Sequence, residues 1–134
     1  MSGYLFDTSA LLALRDDEPG ADRVAELLNA AADGGPVCHG CFMTLMEVLY
    51  RVWKDEGEDA GRAAYAGCQG MAITWVHESP ALLERAAEAK ARFPVSLADA
   101  WIAATALELD AVLVHKDPEF ERIDGLRQEV LPYK

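Results

Sequence analysis

Ser96-Leu97-Ala98-Asp99-Ala100-Trp101-Ile102-Ala103-Ala104-Thr105-Ala106-Leu107-Glu108-Leu109 reads as a helix capped by the Ser96 hydroxyl and carrying almost no polar face. Five alanines with Trp101, Ile102, Leu107 and Leu109 leave little surface suited to water, so most of this helix must be buried. Asp99 stands in its first turn, and a buried aspartate needs a partner or a cation. Val112-Leu113-Val114 follows as a strand, and Asp117 lies three residues beyond it.

The same alternation extends outward in both directions. Residues 3–7 predict a strand ending in Asp7, and 8–15 a short helix. Pro19 suits the first turn of a second helix running to about Ala32, which Gly34-Gly35-Pro36 breaks. Residues 36–40 predict a strand. Leu45, Val48, Leu49 and Val52 recur at helical spacing, which predicts a helix from about Phe42 to Lys54. Asp55-Glu56-Gly57-Glu58-Asp59 reads as a polar turn, 60–69 as a helix and Ala72 to Val76 as a strand. Ser79-Pro80 opens a helix that ends near Phe93-Pro94. A short helical turn follows Asp117, and Glu129 to Leu131 predict a last edge strand. Strands alternating with helices imply an α/β fold, a mainly parallel sheet covered on both faces. The length of 134 residues fits a single domain over 1–134.

Composition narrows the class further. The hydrophobic fraction is 51% and the charged fraction 26%, as in a globular protein able to bury a real core. No apolar run approaches the ~20 residues of a membrane span. No basic region with an apolar core opens the chain, so a cytoplasmic location is expected. Cys38, Cys41 and Cys68 are too few for a disulfide framework. Cys38-His39-Gly40-Cys41 has C-x-x-C spacing but no second ligand pair for zinc, and it begins in a predicted strand, so these cysteines are expected as core or loop residues. A net charge of −11 argues against nonspecific nucleic-acid binding through lysine and arginine. An anionic substrate would need metal ions or a local basic patch.

Four acids stand out against this background: Asp7 after an apolar run, Glu47 inside Met43 to Tyr50, Asp99, and Asp117. Ligands of open parallel sheets bind beyond the carboxyl ends of the strands. Asp7 and Asp117 follow strands, and Glu47 and Asp99 lie near helix starts, so all four can converge there. Each also has an ordinary reading. Thr44-Leu45-Met46-Glu47 and Ser96-Leu97-Ala98-Asp99 match the capping-box pattern. Asp7 can cap the helix from Thr8, and Asp117-Pro118 can be turn chemistry. Two carboxylates ~5 Å apart repel by about 3 kcal/mol at an effective dielectric of 20. A cluster of them without bases therefore calls for a hard divalent cation such as Mg²⁺. Such an ion would polarise a phosphoryl oxygen and acidify a bound water.

Phe6-Asp7-Thr8-Ser9-Ala10-Leu11, Thr44-Leu45-Met46-Glu47-Val48, Ser96 to Ala106, and Asp117-Pro118-Glu119-Phe120 together resemble a PIN-domain ribonuclease, most closely the VapC toxin of VapBC toxin–antitoxin modules. The segments occur in family order across nearly the whole chain. The resemblance implies a five-stranded parallel sheet, a Mg²⁺ or Mn²⁺ site and endonucleolytic cleavage of RNA. It implies that Asp7, Glu47, Asp99 and Asp117 carry the metal site. Thr8, Ser9 and Ser96 are expected to support it by hydrogen bonds. It also implies a homodimer and a cognate antitoxin that places a basic segment in the acidic groove, which an acidic protein would attract. One position departs from the family: His115 stands where a small hydroxyl residue is usual, either touching substrate or capping the strand end. Arg15, Lys90, Arg92 and Lys116 are the nearest cations in sequence for RNA contacts, or else solvated surface charge. Trp53 and Tyr65 are candidates for antitoxin contacts or for the core.

Two rival readings remain open at this point. A haloacid-dehalogenase-like phosphatase would want a second aspartate two positions after Asp7, where Ser9 stands. A non-catalytic, partner-binding member of the same fold would have less use for all four acids.

Overall fold

Five short strands alternate with helices in the order the apolar runs predict. A computed structural model describes residues 3–133. The strands are β1 (Tyr4–Phe6), β2 (Cys38–Cys41), β3 (Thr74–Val76), β4 (Val112–His115) and β5 (Gln128–Val130). The helices are α1 (Thr8–Arg15), α2 (Ala21–Ala32), α3 (Phe42–Glu56), α4 (Glu58–Gln69), α5 (Pro80–Arg92) and α6 (Leu97–Leu109), with a 3₁₀ turn at Pro118–Arg122. The sheet order is β3-β2-β1-β4-β5. Every pairing is parallel, with Phe6 opposite Gly40 on one side and Val114 on the other. The chain winds away from β1 in both directions, so a crevice opens beyond the carboxyl ends of β1 and β4.

Alternation along the strands divides the core. Leu5 and Leu113 face a cluster with Ile102, Ala103 and Ala106 of α6 and with Phe120. Phe6 and Val114 face the opposite cluster, with Leu11 of α1, Val24 and Leu27 of α2, and Leu45 and Val48 of α3. Helices therefore cover both faces, as expected from two-residue periodicity in the strands. The alanine-rich α6 is buried around most of its circumference, including Asp99, Ile102, Ala104 and Thr105. It passes into β4 through Asp110, whose left-handed backbone (φ 54) ends the helix, with Ala111 N donating to Ala106 O.

Several local expectations are corrected. Pro19 precedes α2 rather than opening it, because Gly20 at φ 98 turns the chain and serves as the N-cap. The polar run from Asp55 to Asp59 is mostly helical: α3 reaches Glu56, α4 begins at Glu58, and Gly57 alone, at φ 102, breaks the pair. Thr44 is not a cap, since α3 starts directly after β2 at Phe42. Glu47 therefore lies beyond the first turn. Trp53 is 40% exposed under the Arg62 guanidinium, 5.3 Å from the ring centroid, while Tyr65 packs partly buried against the core. All three cysteines are free and buried, as expected of core residues, and burial pushes the Cys38 thiol up to about 11.

The α3–α4 hairpin depends on Gly61. A Cβ there would meet Leu49 O at 2.8 Å and Trp53 N at 2.9 Å, both backbone atoms. A Cβ at Gly67, on the same helix, would meet nothing within 4 Å. Both changes to alanine improve helix propensity by about 0.5–1 kcal/mol. At Gly61 the overpacking, about 1–3 kcal/mol, outweighs that gain. Gly61→Ala should therefore lower the urea midpoint and Gly67→Ala raise it. Shifts of the same sign would show that the two helices can move apart freely.

Candidate functional site

The carboxyl ends of β1 and β4 deliver two of the four acids, and α3 and α6 deliver the others. Asp7 follows β1 and caps α1, its Oδ2 accepting from Ser9 N at 3.1 Å and from the Ser9 hydroxyl. The capping reading of Asp7 therefore holds, yet the same carboxyl lines a cleft of about 240 Å³ together with those of Glu47, Asp99 and Asp117. Asp117 likewise caps the 3₁₀ turn, accepting from Glu119 N at 3.0 Å, and lines the cleft as well. Ser96 caps α6 by accepting from Asp99 N at 3.1 Å. The Asp99 carboxyl approaches those of Asp117 and Glu119, and one oxygen from each lies within 4.8 Å of the others.

Hydroxyl groups fasten this arrangement. Thr8 Oγ1 is 2.7 Å from Glu47 Oε1 and 3.1 Å from Thr44 Oγ1. Its single proton goes to the carboxylate, which leaves Thr44 to donate to Thr8. Both threonines are buried. Ser9 Oγ donates to Asp7 and accepts from Lys116 N at 2.9 Å, tying the start of α1 to the end of β4. His115 is fully buried. Its Nδ1 accepts from Asp117 N at 3.0 Å, so the ring proton sits on Nε2, 2.7 Å from Gln128 Oε1. Gln128 in turn donates to Phe120 O at 2.9 Å. Burial holds the His115 pKa below its ordinary value. His115 thus closes the strand end and orients Asp117 through its backbone.

The electrostatics are unusual for a resting carboxylate cluster. Burial raises the Asp7 pKa to about 6, with Glu47 and Asp117 adding to the rise and the two Ser9 bonds opposing it. Burial also raises Asp99 well above the carboxylate range, reinforced by the charges of Asp7 and Asp117. Among the described residues none of the four acids takes part in an ion pair. Lys116 reaches the wall of the cleft, but its ammonium lies 3.0 Å from Pro19 O and 3.6 Å from Glu18. The donor set is therefore all hard oxygen with uncompensated negative charge, the chemistry that Mg²⁺ and Mn²⁺ fit.

The other predicted contacts fall elsewhere. Arg15 makes a two-pronged contact with Glu56 at 2.7 and 2.9 Å, Lys90 donates to Val95 O at 2.7 Å, and Arg92 pairs with Glu88 at 3.2 Å; none of the three lines the cleft. Arg15 and Arg92 are claimed by acids and Lys90 by a backbone carbonyl. Three participants escaped the sequence reading: Arg51, Thr44 and Glu119. Arg51 was signalled by its position one helical turn after Glu47, and Glu119 by its place two residues after Asp117.

The PIN domain family model matches residues 4–126. No curated protein sequence matches the chain. Among solved structures, a toxin–antitoxin complex from Klebsiella pneumoniae aligns at a TM-score of 0.66 and 26% identity, covering 92% of this chain and 95% of that one. DNA-bound VapBC from Salmonella typhimurium aligns at 0.76 and 24%, covering 96% and 98%. VapC20 from Mycobacterium tuberculosis, a sarcin–ricin loop cleaving toxin, aligns at 0.72 and 24%, covering 97% and 100%. Among the described residues no helix is long and apolar enough to cross a membrane.

Proposed function

The chain belongs to the PIN-domain family, and from that premise we propose that it is a divalent-metal-dependent endoribonuclease, the toxin of a toxin–antitoxin pair. The observation that carries this reading is the convergence of four carboxylates in one cleft, none of them in an ion pair among the described residues. Asp7, Glu47, Asp99 and Asp117 would hold Mg²⁺ or Mn²⁺. When bound, such an ion supplies positive charge for the scissile phosphate and acidity for water.

The chain's own contribution is placement. Thr8 holds Glu47, Ser9 holds Asp7 against the end of β4, and His115 sets the backbone of Asp117. Ser96 supports Asp99 through its amide, and the Ser9 and Thr8 bonds keep two carboxylates aimed at the cleft before any cation arrives. A site held in advance loses little on reorganisation when substrate binds.

An antitoxin is the expected partner, because the Klebsiella relative is a toxin–antitoxin complex and the charge of −11 attracts a basic segment. Assembly as a homodimer, action of residues 1–134 as one domain and residence in the cytoplasm belong to the same proposal. The test is incubation of the purified protein, freed of antitoxin, with total RNA in Mg²⁺ or Mn²⁺ and in EDTA, beside Asp7→Asn. Fragments that need metal and disappear in the variant are the expected result. Intact RNA under every metal, from folded protein, would overturn the nuclease reading.

A further inference from the structure

We propose that the groove leading out of the acidic cleft past Arg51 to Tyr133 holds the single-stranded nucleic acid flanking the bond to be cut, with Arg51 gripping a backbone phosphate and Tyr133 stacking on a base. This rests on the nuclease reading above. The groove measures about 340 Å³ and shares Ser9, Arg51 and Lys116 with the acidic cleft. A strand with one phosphate at the four carboxylates therefore has a continuous path onward.

Arg51 is the charge that makes the path suitable. It is exposed, lies one turn after Glu47 and one turn before Asp55, and among the described residues it forms no ion pair. By contrast, Arg15, Arg23, Arg62, Arg85, Arg92 and Arg127 are all paired. The acids in the same groove are already engaged, Asp16 by Arg15 at 2.9 Å and Glu18 by Lys116 at 3.6 Å. Arg51 is left as the uncompensated charge there, with a planar fork suited to phosphate. Tyr133 supplies the second element. It is 43% exposed, and its hydroxyl makes one long contact, 3.4 Å to Glu121. An exposed aromatic beside a free cation is the combination that binds single strands with little regard to sequence.

The groove is tested by fluorescence anisotropy of a labelled single-stranded RNA of roughly eight nucleotides, a length in the range such sites cover. Binding is measured on an Asp99→Asn background in Mg²⁺, so that the strand is not cut. Adding Arg51→Ala should weaken binding about tenfold and lower the salt slope by about 0.7, as for one lost phosphate contact. Tyr133→Ala should weaken binding about tenfold or more, and Tyr133→Phe should restore it. An abasic nucleotide scanned along the strand should abolish the Tyr133 effect at one position. Metal affinity by calorimetry, in the otherwise unaltered protein, should stay unchanged in both Tyr133 variants, and Arg85→Ala serves as the control for RNA binding. If the unaltered protein cuts RNA and the Asp99→Asn parent binds it while the double variants match that parent, the groove is wrong and the nuclease reading stands. If the Asp99→Asn parent does not bind and the unaltered protein does not cut, both fall.

Discussion

Asp99→Asn is expected to abolish RNA cleavage while making the metal-free protein more stable. The two effects have one cause. Asp99 is 7% exposed, faces the carboxyls of Asp117 and Glu119, and takes part in no ion pair among the described residues. With its pKa raised far above the ordinary value, the folded metal-free chain must carry a proton at Asp99 that the unfolded chain releases at neutral pH. Asparagine has the same shape without that cost. Relief on the order of 2–4 kcal/mol is expected at neutral pH, a rise in Tm on the order of 5–10 °C in EDTA. Catalysis moves the other way. Losing a charged group at the reacting centre costs about 10²–10³ in rate or more. Melting curves of both proteins, in EDTA and in excess Mg²⁺, separate the terms. The parent should gain about 2.7 kcal/mol when the ion is at a hundred times its Kd, and the variant should gain little. A folded Asp99→Asn protein that still cleaves would remove Asp99 from the site. One that melts lower in EDTA would mean that the carboxyl is stabilising without a metal.

Metal affinity should rise steeply with pH, and the stability of the metal-free protein should fall over the same window. A carboxyl whose folded pKa is raised contributes stability that is complete below its unfolded value, near 3.8, and that is lost as pH rises through its folded value. For Asp7 that loss runs between about 4 and about 6, and for Asp99 it continues higher. The two-unit rise at Asp7, a buried group, corresponds to about 3 kcal/mol. An ion entering the cleft must displace these protons, so its affinity gains about tenfold per pH unit for each proton released. Calorimetry in buffers of different ionisation enthalpy counts those protons directly. Near pH 5 release of about one proton each from Asp7 and Asp99 is expected, and by pH 7 the Asp7 share should fade while that of Asp99 remains. Affinity that stays flat over this range would mean that neither carboxyl binds the ion.

Where the sequence was legible, a local chemical rule and the global fold agreed. Ser79-Pro80 and Ser96 announced α5 and α6 because cap hydroxyls and an N-terminal proline act on their own helix, whatever packs around it. The apolar α6 announced its own burial. Elsewhere a local rule had two outcomes. Thr44 and Glu47 satisfy the capping-box spacing, but β2 passes into α3 without a loop, so the pattern falls inside the helix. The acidic run around Gly57 looked like a turn, although a single glycine suffices to separate two helices. Asp7, Glu47, Asp99 and Asp117 could be grouped at one edge of the sheet from strand and helix order alone. The cations could not, because which acid claims an arginine depends on tertiary neighbours. Arg15 is held by a glutamate 41 residues away.

The bond between Ser9 and Lys116 joins residues 107 apart, and every neighbour of β1 is parallel to it. No local hairpin can assemble such a sheet; each pairing waits for a full crossover to be made. During synthesis Asp7 precedes Glu47, Asp99 and Asp117 and waits for them. Its companions arrive one after another, and Asp117 comes only once β4 has been threaded beside β1. The four acids therefore share one cleft only after the last crossover has been made. Whatever the cleft does, it gains that ability in a single late step, when β4 docks beside β1 and brings Asp117 to Asp7.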